Sequence, residues 1–364
     1  MSRKRRNHTM KILVFNFGST SSKIAVYEDH DEVFSKTINH DQEFLATHRI
    51  PIEQFDVREA DILKALEDNN LSLKDFDAVC SRAGLIRPVA SGTYYINEQC
   101  VADAKDMNYG GMQPHGLALL IANDISKEYG IPAFFCDPVS TDEMSEVAKI
   151  TGYAPIKRTS RFHALNHKAI ARKCAADIGK PYEELNLIGV HLGGGTSIAA
   201  HAHGRCIDIT DCSVDGPMSM DRPGGLPIDE VINMCYSGEY EKAELKRLFK
   251  QDAGMFSHTG TKDMREIKAR MAEGDKACEM AFKAFCYQHA KYIGAMAAVL
   301  KFKVDGIFLT GGIAHGHEVV DEISQYVEGI APIYVYAGEN EMQSLAEGAL
   351  RVLKGEAEAL EYKA

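Results

Sequence analysis

The feature that most constrains the fold of this sequence is an internal similarity between two stretches about 175 residues apart. The first is Lys11–Tyr27, KILVFNFGSTSSKIAVY, and the second is Asn186–His203, NLIGVHLGGGTSIAAHAH. Each is an apolar β-rich run, one polar residue (Asn16 or His191), a tight turn of Gly, Ser and Thr, and a second β-rich run. The pattern predicts a β-hairpin in each stretch. Its repetition predicts two duplicated domains, each with one such loop.

The small residues of these turns indicate what the loops could bind. Turns with little or no side chain expose backbone N–H groups, which can point into one concavity and hold an anion such as phosphate. Hydroxyl groups add further donors. One Gly/Ser/Thr turn alone is usually only a turn, so the prediction of phosphate binding depends on the pair.

Composition and charge exclude several classes of protein. The chain has 364 residues, 45% of them hydrophobic, 26% of them charged, and a net charge of -11, which is typical of a globular protein without a general nucleic-acid-binding surface. No apolar run approaches the roughly 18 residues that a membrane helix needs. The nine cysteines include no CxxC pair, which disfavours a zinc ribbon or a disulfide framework and favours a reducing cytoplasm.

Two charged residues follow predicted strands in the first half of the sequence. Arg82 comes two residues after the end of the strand predicted at Phe76–Cys80, and Asp137 comes after the apolar run IPAFFC. Because ligands of open α/β sheets bind outside the carboxyl ends of strands, Arg82 is well placed to hold an anion, although it could be a surface arginine. Asp137 could act as a base, a metal ligand or a cap.

The segment SRFHALNHKAIARKCAADIG predicts a helix that begins near His163. His163 and His167 are four residues apart and share one face of this helix. The segment lacks the Glu of HExxH, and no third ligand is in view, so zinc is disfavoured. A phosphate-facing histidine, supported by Arg158 and Arg161, fits the pattern better.

Three further segments supply candidate site residues. The loop MDRPGGLP is stiffened by Pro and Gly around Arg222, as positioning a guanidinium requires. The run VDGIFLTGGIA predicts a strand that ends in Gly311 and Gly312, where a flat ring or sugar could approach the backbone. Glu341 lies in an acidic turn before the last predicted helix, where it could hold Mg²⁺, or it could equally lie in the first turn of that helix and offset the helix dipole.

Together these motifs resemble those of the acetokinase family, within the superfamily of acetate and sugar kinases, Hsp70 and actin. The sequence contains neither GxxxxGK[ST] nor a GxGxxG between a strand and a helix, which excludes a standard P-loop. NFGSTSSK and HLGGGTS are similar to the two phosphate motifs of the family. SRAG is similar to its substrate-arginine motif, RFHALNH to its catalytic-histidine motif and LTGGIA to its adenosine motif. The resemblance extends from roughly Lys11 to Tyr362.

The resemblance implies a fold and a domain organisation. The expected fold is α/β, with two duplicated ribonuclease-H-like domains of the actin-like ATPase type and a nucleotide cleft between them. Residues 11–152 with 343–361 would form the N-terminal domain, and residues 153–342 would form the C-terminal, nucleotide-binding domain. Residues 1–10 would be a disordered basic leader, with a nucleic-acid arm or an anchor as the alternatives. A homo-oligomer, dimeric or higher, is also expected.

The resemblance assigns a role to each matching residue. Arg82 and Arg222 would hold the carboxylate and the phosphoryl group in transfer. Asp137 would position or polarise groups at the reacting centre, and His163 would stabilise the transferring phosphoryl group. The residues expected to bind ATP or ADP lie on the two loops and the late strand: Asn16, Ser19, Ser21, Lys23, His191, Gly193, Gly194, Gly195, Gly311 and Gly312. Asn16 and Glu341 would hold Mg²⁺.

The activity implied is reversible, in-line phosphorylation of a short-chain fatty acid by ATP, giving an acyl phosphate and ADP. Gly194 stands where acetate-specific members carry Asn, and Ala83-Gly84 stands where their arginine is followed by His-Gly. Both departures fit the branch of the family that acts on butyrate. Acetate, propionate or a branched acid are the alternative substrates, and a polyol is the substrate of a rival sugar kinase. An Hsp70-like or actin-like ATPase switch is the alternative of a different class.

Overall fold

The computed structural model describes residues 8–109, 111–211 and 215–363, which divide into two compact units. One unit holds the described residues up to Thr141 together with those from Asn340 onward. The other unit is Asp142–Glu339. Most of the expected basic leader at residues 1–10 lies outside the described residues.

The first unit contains a sheet that begins with the first predicted hairpin. Its strands in the described residues are β1 (Lys11–Phe17), β2 (Ser21–Glu28), β3 (Asp31–Asn39), β4 (Ala78–Ser81), β5 (Thr93–Tyr95) and β6 (Ala133–Cys136), in the order β3-β2-β1-β4-β6-β5. β2 is antiparallel to both β1 and β3, whereas β4 is parallel to both β1 and β6. β1 is central, and its residues Ile12–Phe15 are fully buried, as expected for an apolar run that is covered on both faces.

The second unit repeats this arrangement. Its strands in the described residues are β7 (Asn186–Leu192), β8 (Thr196–Ala202), β9 (Arg205–Ile209), β10 (Gly306–Gly311) and β11 (Ile333–Ala337). Their order, β9-β8-β7-β10-β11, matches β3-β2-β1-β4-β6 strand for strand, with the same parallel and antiparallel pairs. Both units also have a register shift between the second and third strands, at Val26/Tyr27 and at Ala200/His201. The predicted duplication and both predicted hairpins are confirmed.

Helices cover these sheets. The α-helices of the described residues are α1 (Gln42–Thr47), α2 (Phe55–Glu67), α3 (Glu98–Lys105), α4 (Pro114–Tyr129), α5 (Ala164–Ile178), α6 (Ile228–Tyr236), α7 (Lys242–Gln251), α8 (Gly254–Thr259), α9 (Met264–Ala272), α10 (Lys276–Val299), α11 (His317–Val327) and α12 (Glu341–Leu353). α12 packs on β1, β4 and β6 of the first unit. α10 buries one face in the core of the second unit. Met280 and Tyr287 of this helix are exposed because they lie on its outer face.

Within the three described ranges, no helix is both long enough and apolar enough to cross a membrane.

Candidate active site

The first loop, Gly18–Thr20, joins β1 to β2 and accepts hydrogen bonds from an arginine of α2. Arg58 is fully buried, and its guanidinium donates to the carbonyl oxygens of Gly18, Ser19 and Ser21 at 2.9–3.2 Å. In a planar trans peptide the C=O and the following N–H point in opposite directions. The N–H groups that follow Gly18 and Ser19 therefore point away from Arg58, as an anion-binding loop requires.

The hairpin register separates the predicted ligand residues from the supporting ones. Asn16 pairs with Lys23, so these two side chains lie on the same face of the hairpin. Ser21 shares that face because it is two residues from Lys23. Ser22 points to the other face, where its hydroxyl contacts Arg58 at 3.1 Å. Asn16, Ser21 and Lys23 therefore lie together, while Ser19 is at the exposed tip of the loop.

The carboxyl ends of the parallel strands bring three predicted site residues into contact. Asn16 is near the end of β1, Arg82 directly follows β4, and Glu341 is the first residue of α12. Arg82 Nη1 lies 2.7 Å from Glu341 Oε1 and 2.8 Å from Oε2. Asn16 Nδ2 donates to Glu341 Oε2 at 2.7 Å. These side chains are only partly accessible, 17% for Arg82 and 13% for Glu341, so the ion pair is shielded from solvent.

The oxygen atoms of this cluster suit a magnesium ion that is delivered with a nucleotide. Mg²⁺ prefers oxygen ligands and is usually held by one or two carboxylates together with substrate phosphates. Asn16 Oδ1 and the Glu341 carboxylate provide such oxygens. Among the described residues there is no group of three or more His, Cys, Asp or Glu side chains that could form a metal cage by itself.

Asp137 follows β6 at the same edge but makes different contacts. Its Oδ1 accepts hydrogen bonds from Ser91 Oγ at 2.7 Å and from the Gly92 N–H at 2.9 Å. The residue is 4% exposed and has a φ of 36°, which is unusual for a residue with a side chain. In the described residues the structure links Asp137 to the 91–92 loop rather than to the cluster around Glu341.

The second loop, Gly193–Gly195, joins β7 to β8 and lies against Arg222. A Cβ atom on Gly195 would be 2.3 Å from Arg222 Nη1, so a side chain at this position would displace the guanidinium. A Cβ on Gly193 would be 3.0 Å from His191 Nε2 and 3.3 Å from Glu339 Oε1. The loop is therefore surrounded by one arginine, one histidine and one carboxylate.

Histidines of β7 and α5 pack together beside this loop. His163 is the N-cap residue of α5, and its ring stacks on that of His191 at 3.8 Å between centroids and 9° between planes. His191 Nδ1 lies 3.1 Å from Asn166 Oδ1, and its Nε2 lies 3.4 Å from Glu339 Oε1. Both His163 and His167 contact Ser197 Oγ, which confirms that they share a face. Burial is the main reason that the pKa of His167 falls to about 3.

A pocket of about 710 Å³ in the second unit collects the predicted glycines. Gly193 and Gly194 of the second loop line it together with Gly312 and Glu339. Gly311 supports this pocket, because its φ is 91° and a Cβ there would be 2.3 Å from the Leu192 carbonyl oxygen. The remaining lining residues are Met220, Lys262, Asp263, Met264, Arg265, Lys268, Ile313, His315 and Gly316.

Sequence reasoning missed several of these residues. Lys262, Arg265 and Lys268 lie at a spacing of three, which places them on one side of α9 and its N-terminal approach. That spacing was a usable signal for a basic surface facing a phosphate. For Arg58 the sequence offered no signal, since the carbonyl groups that accept its hydrogen bonds are far away in the chain.

The interpretation of Arg158 is corrected by its contacts. Arg158 Nη1 pairs with Asp208 at 2.8 Å and Nη2 with Asp215 at 3.2 Å, and the guanidinium also donates to the Ala148 carbonyl at 2.9 Å. It therefore anchors neighbouring segments and does not support a phosphate-facing histidine. Arg161 is exposed.

Comparison with known sequences shows which protein family this chain resembles. The profile of the Acetokinase family matches residues 151–348. The chain is 43% identical to "Butyrate kinase 1" of Clostridium acetobutylicum over 97% of this chain and 99% of the relative. It is also 43% identical to a "Probable butyrate kinase" of Clostridium botulinum, with the same coverage.

Solved structures agree on the fold. The Porphyromonas gingivalis acetate kinase superposes with a TM-score of 0.80 at 18% identity, covering 94% of this chain and 100% of that one. A propionate kinase from Francisella tularensis gives a TM-score of 0.76 at 19% identity, covering 93% and 98%. With the duplicated sheets, the two loops and relatives matched over nearly their whole length, the chain belongs to the acetokinase family.

Proposed function

We propose that this protein is a butyrate kinase, which transfers the γ-phosphoryl group of ATP to the carboxylate of butyrate, reversibly, giving butyryl phosphate and ADP. The observation that carries the proposal is the 43% identity to a butyrate kinase across 97% of this chain and 99% of that relative.

The chemistry of the acceptor sets what the residues must do. A carboxylate is already ionised near pH 7, so it needs no strong general base. Phosphoryl transfer depends instead on alignment of the reacting groups and on neutralising the charge of the transferred group. Fixed cations and hydrogen-bond donors are therefore the groups expected to promote the transfer.

The first unit supplies a guanidinium and oxygen ligands. We assign Arg82 to the carboxylate of the acid, since it already holds a carboxylate, that of Glu341, with an oxygen 2.7 Å from Nη1. Asn16 and Glu341 would hold Mg²⁺, which when bound would offset the negative charge of the phosphates. Ser19, Ser21 and Lys23 would contact phosphate oxygens on the accessible side of the first loop. Asp137 would act by fixing the 91–92 loop.

The second unit supplies donors to the nucleotide and to the phosphoryl group. We assign Arg222 and His163 to the phosphoryl group in transfer. His191 and Gly193–Gly195 would bind the nucleotide phosphates, and Gly311 with Gly312 would line the adenosine site. Lys262 and Lys268 line the pocket beside them and could turn from their partners Asp252 and Glu318 toward a nucleoside polyphosphate.

Trapping the acyl phosphate with hydroxylamine tests the proposal. Purified protein and Mg-ATP are incubated in parallel with acetate, propionate, butyrate, isobutyrate and valerate. We expect the hydroxamate signal to peak at butyrate. Because one methylene is worth only about 1–3 kcal/mol, the neighbouring acids should give weaker but measurable signals.

The other outcomes of this experiment are equally informative. A peak at acetate or at a branched acid would retain the acyl kinase and reject butyrate as its substrate. ATP hydrolysis with no hydroxamate from any acid would contradict the proposal. Glycerol and hexoses, offered in the same assay with ADP as the readout, test for a polyol kinase.

A further inference from the structure

A continuous chain of hydrogen bonds runs through the interior of the second unit and ends at His163. Tyr182 Oη lies 2.7 Å from His201 Nδ1, and His201 Nε2 lies 3.3 Å from His167 Nδ1. His167 Nε2 lies 3.1 Å from Ser197 Oγ, and Ser197 Oγ lies 2.9 Å from His163 Nδ1. The two middle histidines and Ser197 are fully buried.

The two middle histidines of the chain are neutral. Burial is the largest cause of the lowered pKa of His167, about 3, and of the still stronger lowering at His201. A neutral imidazole has one N–H donor and one bare nitrogen acceptor. Each of these rings must therefore donate at one nitrogen and accept at the other, so the hydrogen bonds along the chain all run in the same direction.

A backbone carbonyl determines which direction that is. His167 Nε2 lies 3.3 Å from the carbonyl oxygen of Ser197, in addition to its contact with Ser197 Oγ. A carbonyl oxygen can only accept, so the proton of His167 belongs on Nε2. Its Nδ1 is then bare and accepts from His201 Nε2–H. His201 Nδ1 is bare in turn and accepts from the Tyr182 hydroxyl.

The hydroxyl of Ser197 extends the same hydrogen-bond direction to His163. A serine hydroxyl has one proton to donate and two lone pairs to accept. The lone pairs are used by His167 Nε2–H and by the backbone N–H of His163, at 3.1 and 3.3 Å. The proton is therefore directed to His163 Nδ1. With Nδ1 accepting, the neutral ring of His163 carries its own proton on Nε2.

We propose that Tyr182, His201, His167 and Ser197 are positioning residues that fix His163 in the tautomer with its proton on Nε2. Ring stacking on His191 fixes the plane of the same imidazole, so orientation and tautomer are both determined before any ligand binds. The consequence for catalysis rests on the proposed function: His163 presents an N–H donor, rather than a lone pair, to the anionic phosphoryl group. Donors that are aligned in advance stabilise developing charge without reorganisation.

Selective labelling with ¹⁵N-histidine tests the tautomer directly. Two-dimensional spectra that correlate ring protons with ring nitrogens distinguish a protonated nitrogen from a bare one. The ligand-free protein is measured at about pH 8, above the ordinary histidine pKa of about 6.5. The His163 signals are assigned by their disappearance in His163→Gln. We expect Nδ1 bare and Nε2 protonated, and the reverse pattern would overturn the proposal.

Two variants test the chain itself. Ser197→Ala removes the hydroxyl next to His163, and Tyr182→Phe removes only the distal hydroxyl while keeping the ring. In Ser197→Ala both His163 nitrogens should shift toward intermediate values, as expected for a mixture of tautomers. The turnover number kcat should fall about tenfold with little change in KM. Tyr182→Phe should give smaller shifts in the same direction. Because it keeps the aromatic ring, it should fold even if Ser197→Ala does not.

A matched control separates this effect from the loss of any buried hydroxyl. Ser140 is 5% exposed, and its Oγ makes no hydrogen bond within the described residues. Ser140→Ala should therefore leave the His163 spectrum unchanged. The proposal would be refuted if the chemical shifts of the His163 nitrogens in Ser197→Ala and Tyr182→Phe were the same as in the unmodified protein. Because the spectra need no substrate, they remain decisive if the proposed enzymatic activity is wrong.

Discussion

Arg58 is the residue whose role departs most from what its type and position in the sequence indicate. It lies on α2 and is completely buried. Its Nε donates to Gln54 Oε1 at 3.0 Å, and the rest of the guanidinium holds the first loop. A planar group with five donors can satisfy several carbonyls at once, whereas a lysine ammonium cannot match that geometry.

Replacing Arg58 should therefore impair binding of the nucleotide. We expect Arg58→Met to lower kcat/KM for ATP by on the order of tenfold to a hundredfold, equivalent to one charge-assisted hydrogen bond. Arg58→Lys should give an intermediate loss. Arg49, an exposed arginine that donates to the Ala46 carbonyl, provides the control Arg49→Met, which should behave like the unmodified protein. Steady-state kinetics with circular dichroism as the folding check decide the matter, and an unchanged kcat/KM in Arg58→Met would contradict the role.

The second loop offers a steric test of Arg222. In Gly195→Ala the new methyl would lie 2.3 Å from Arg222 Nη1 and must displace the guanidinium. We expect kcat to fall at least tenfold, because misplacement by about 1 Å can cost 10²-fold in rate. In Gly194→Ala the same methyl meets no atom of the described residues within 4 Å, so its effect should be confined to KM for ATP. Equal kcat values for the two variants would show that Arg222 does not act on the transferring group.

At the scale of elements, local pattern predicted both hairpins, the strands that end near Arg82, Asp137 and Gly311, and the helix after His163, but it did not predict β3, β5 or β9. The hairpins around Gly18 and Gly194 follow from apolar β-rich runs and turn residues that are adjacent in sequence. The closing helix is present, and Glu341 is its first residue, which is one of the two positions considered for it. The structure also brings Asn16, Arg82 and Glu341 together, whereas the strand-end rule had predicted an anion-binding position only for Arg82. Contacts between residues distant in the chain, such as Arg58 with the first loop, leave no local pattern and could not be predicted.

The packing of α12 on its sheet requires a residue without a side chain. A Cβ on Gly348 would be 2.3 Å from Cys136 Sγ and 3.3 Å from Thr93 Oγ1. We expect Gly348→Ala to destabilise the protein by about 1–3 kcal/mol through overpacking, although alanine is the better helix former.

Gly294, within α10, is the matched control for this substitution. Outside its own turn of helix, a Cβ there meets no atom of the part of the chain that the structure describes within 4 Å, so Gly294→Ala should stabilise the protein by about 0.5–1 kcal/mol. Urea denaturation of both variants gives the free energies of unfolding. A stabilised Gly348→Ala would mean that the helix sits farther from the sheet than described.

At the scale of the whole molecule, buried neutral histidines make stability depend on pH. Burial lowers the pKa of His167 to about 3 and that of His289 to about 4. In the unfolded chain a histidine takes up a proton as the pH falls through about 6.5. Between these values the unfolded state binds more protons, so stability decreases as the pH falls.

Each such histidine should contribute on the order of 1.4 kcal/mol per pH unit over that interval. The free energy of unfolding, measured in urea at several pH values between 5 and 8, should decline below about pH 6.5. His289→Gln should reduce the slope, whereas His30→Gln, at an exposed turn, should leave it unchanged. Stability that stayed constant or rose on acidification would contradict the buried neutral state.

The ion pair between Arg82 and Glu341 links the proposed binding of the acid to that of the metal. If the acid binds Arg82 alone, Glu341 loses its ion-pair partner, and if Mg²⁺ binds Glu341 alone, Arg82 loses its partner. Either loss costs free energy because the pair is shielded from solvent. The second ligand then restores a partner, so the two should bind with positive cooperativity, and reciprocally. We expect the Kd for butyrate, measured by calorimetry, to decrease several-fold when Mg-ADP is present. One internal salt bridge would thus make the enzyme favour the state with both substrates bound over either state with only one.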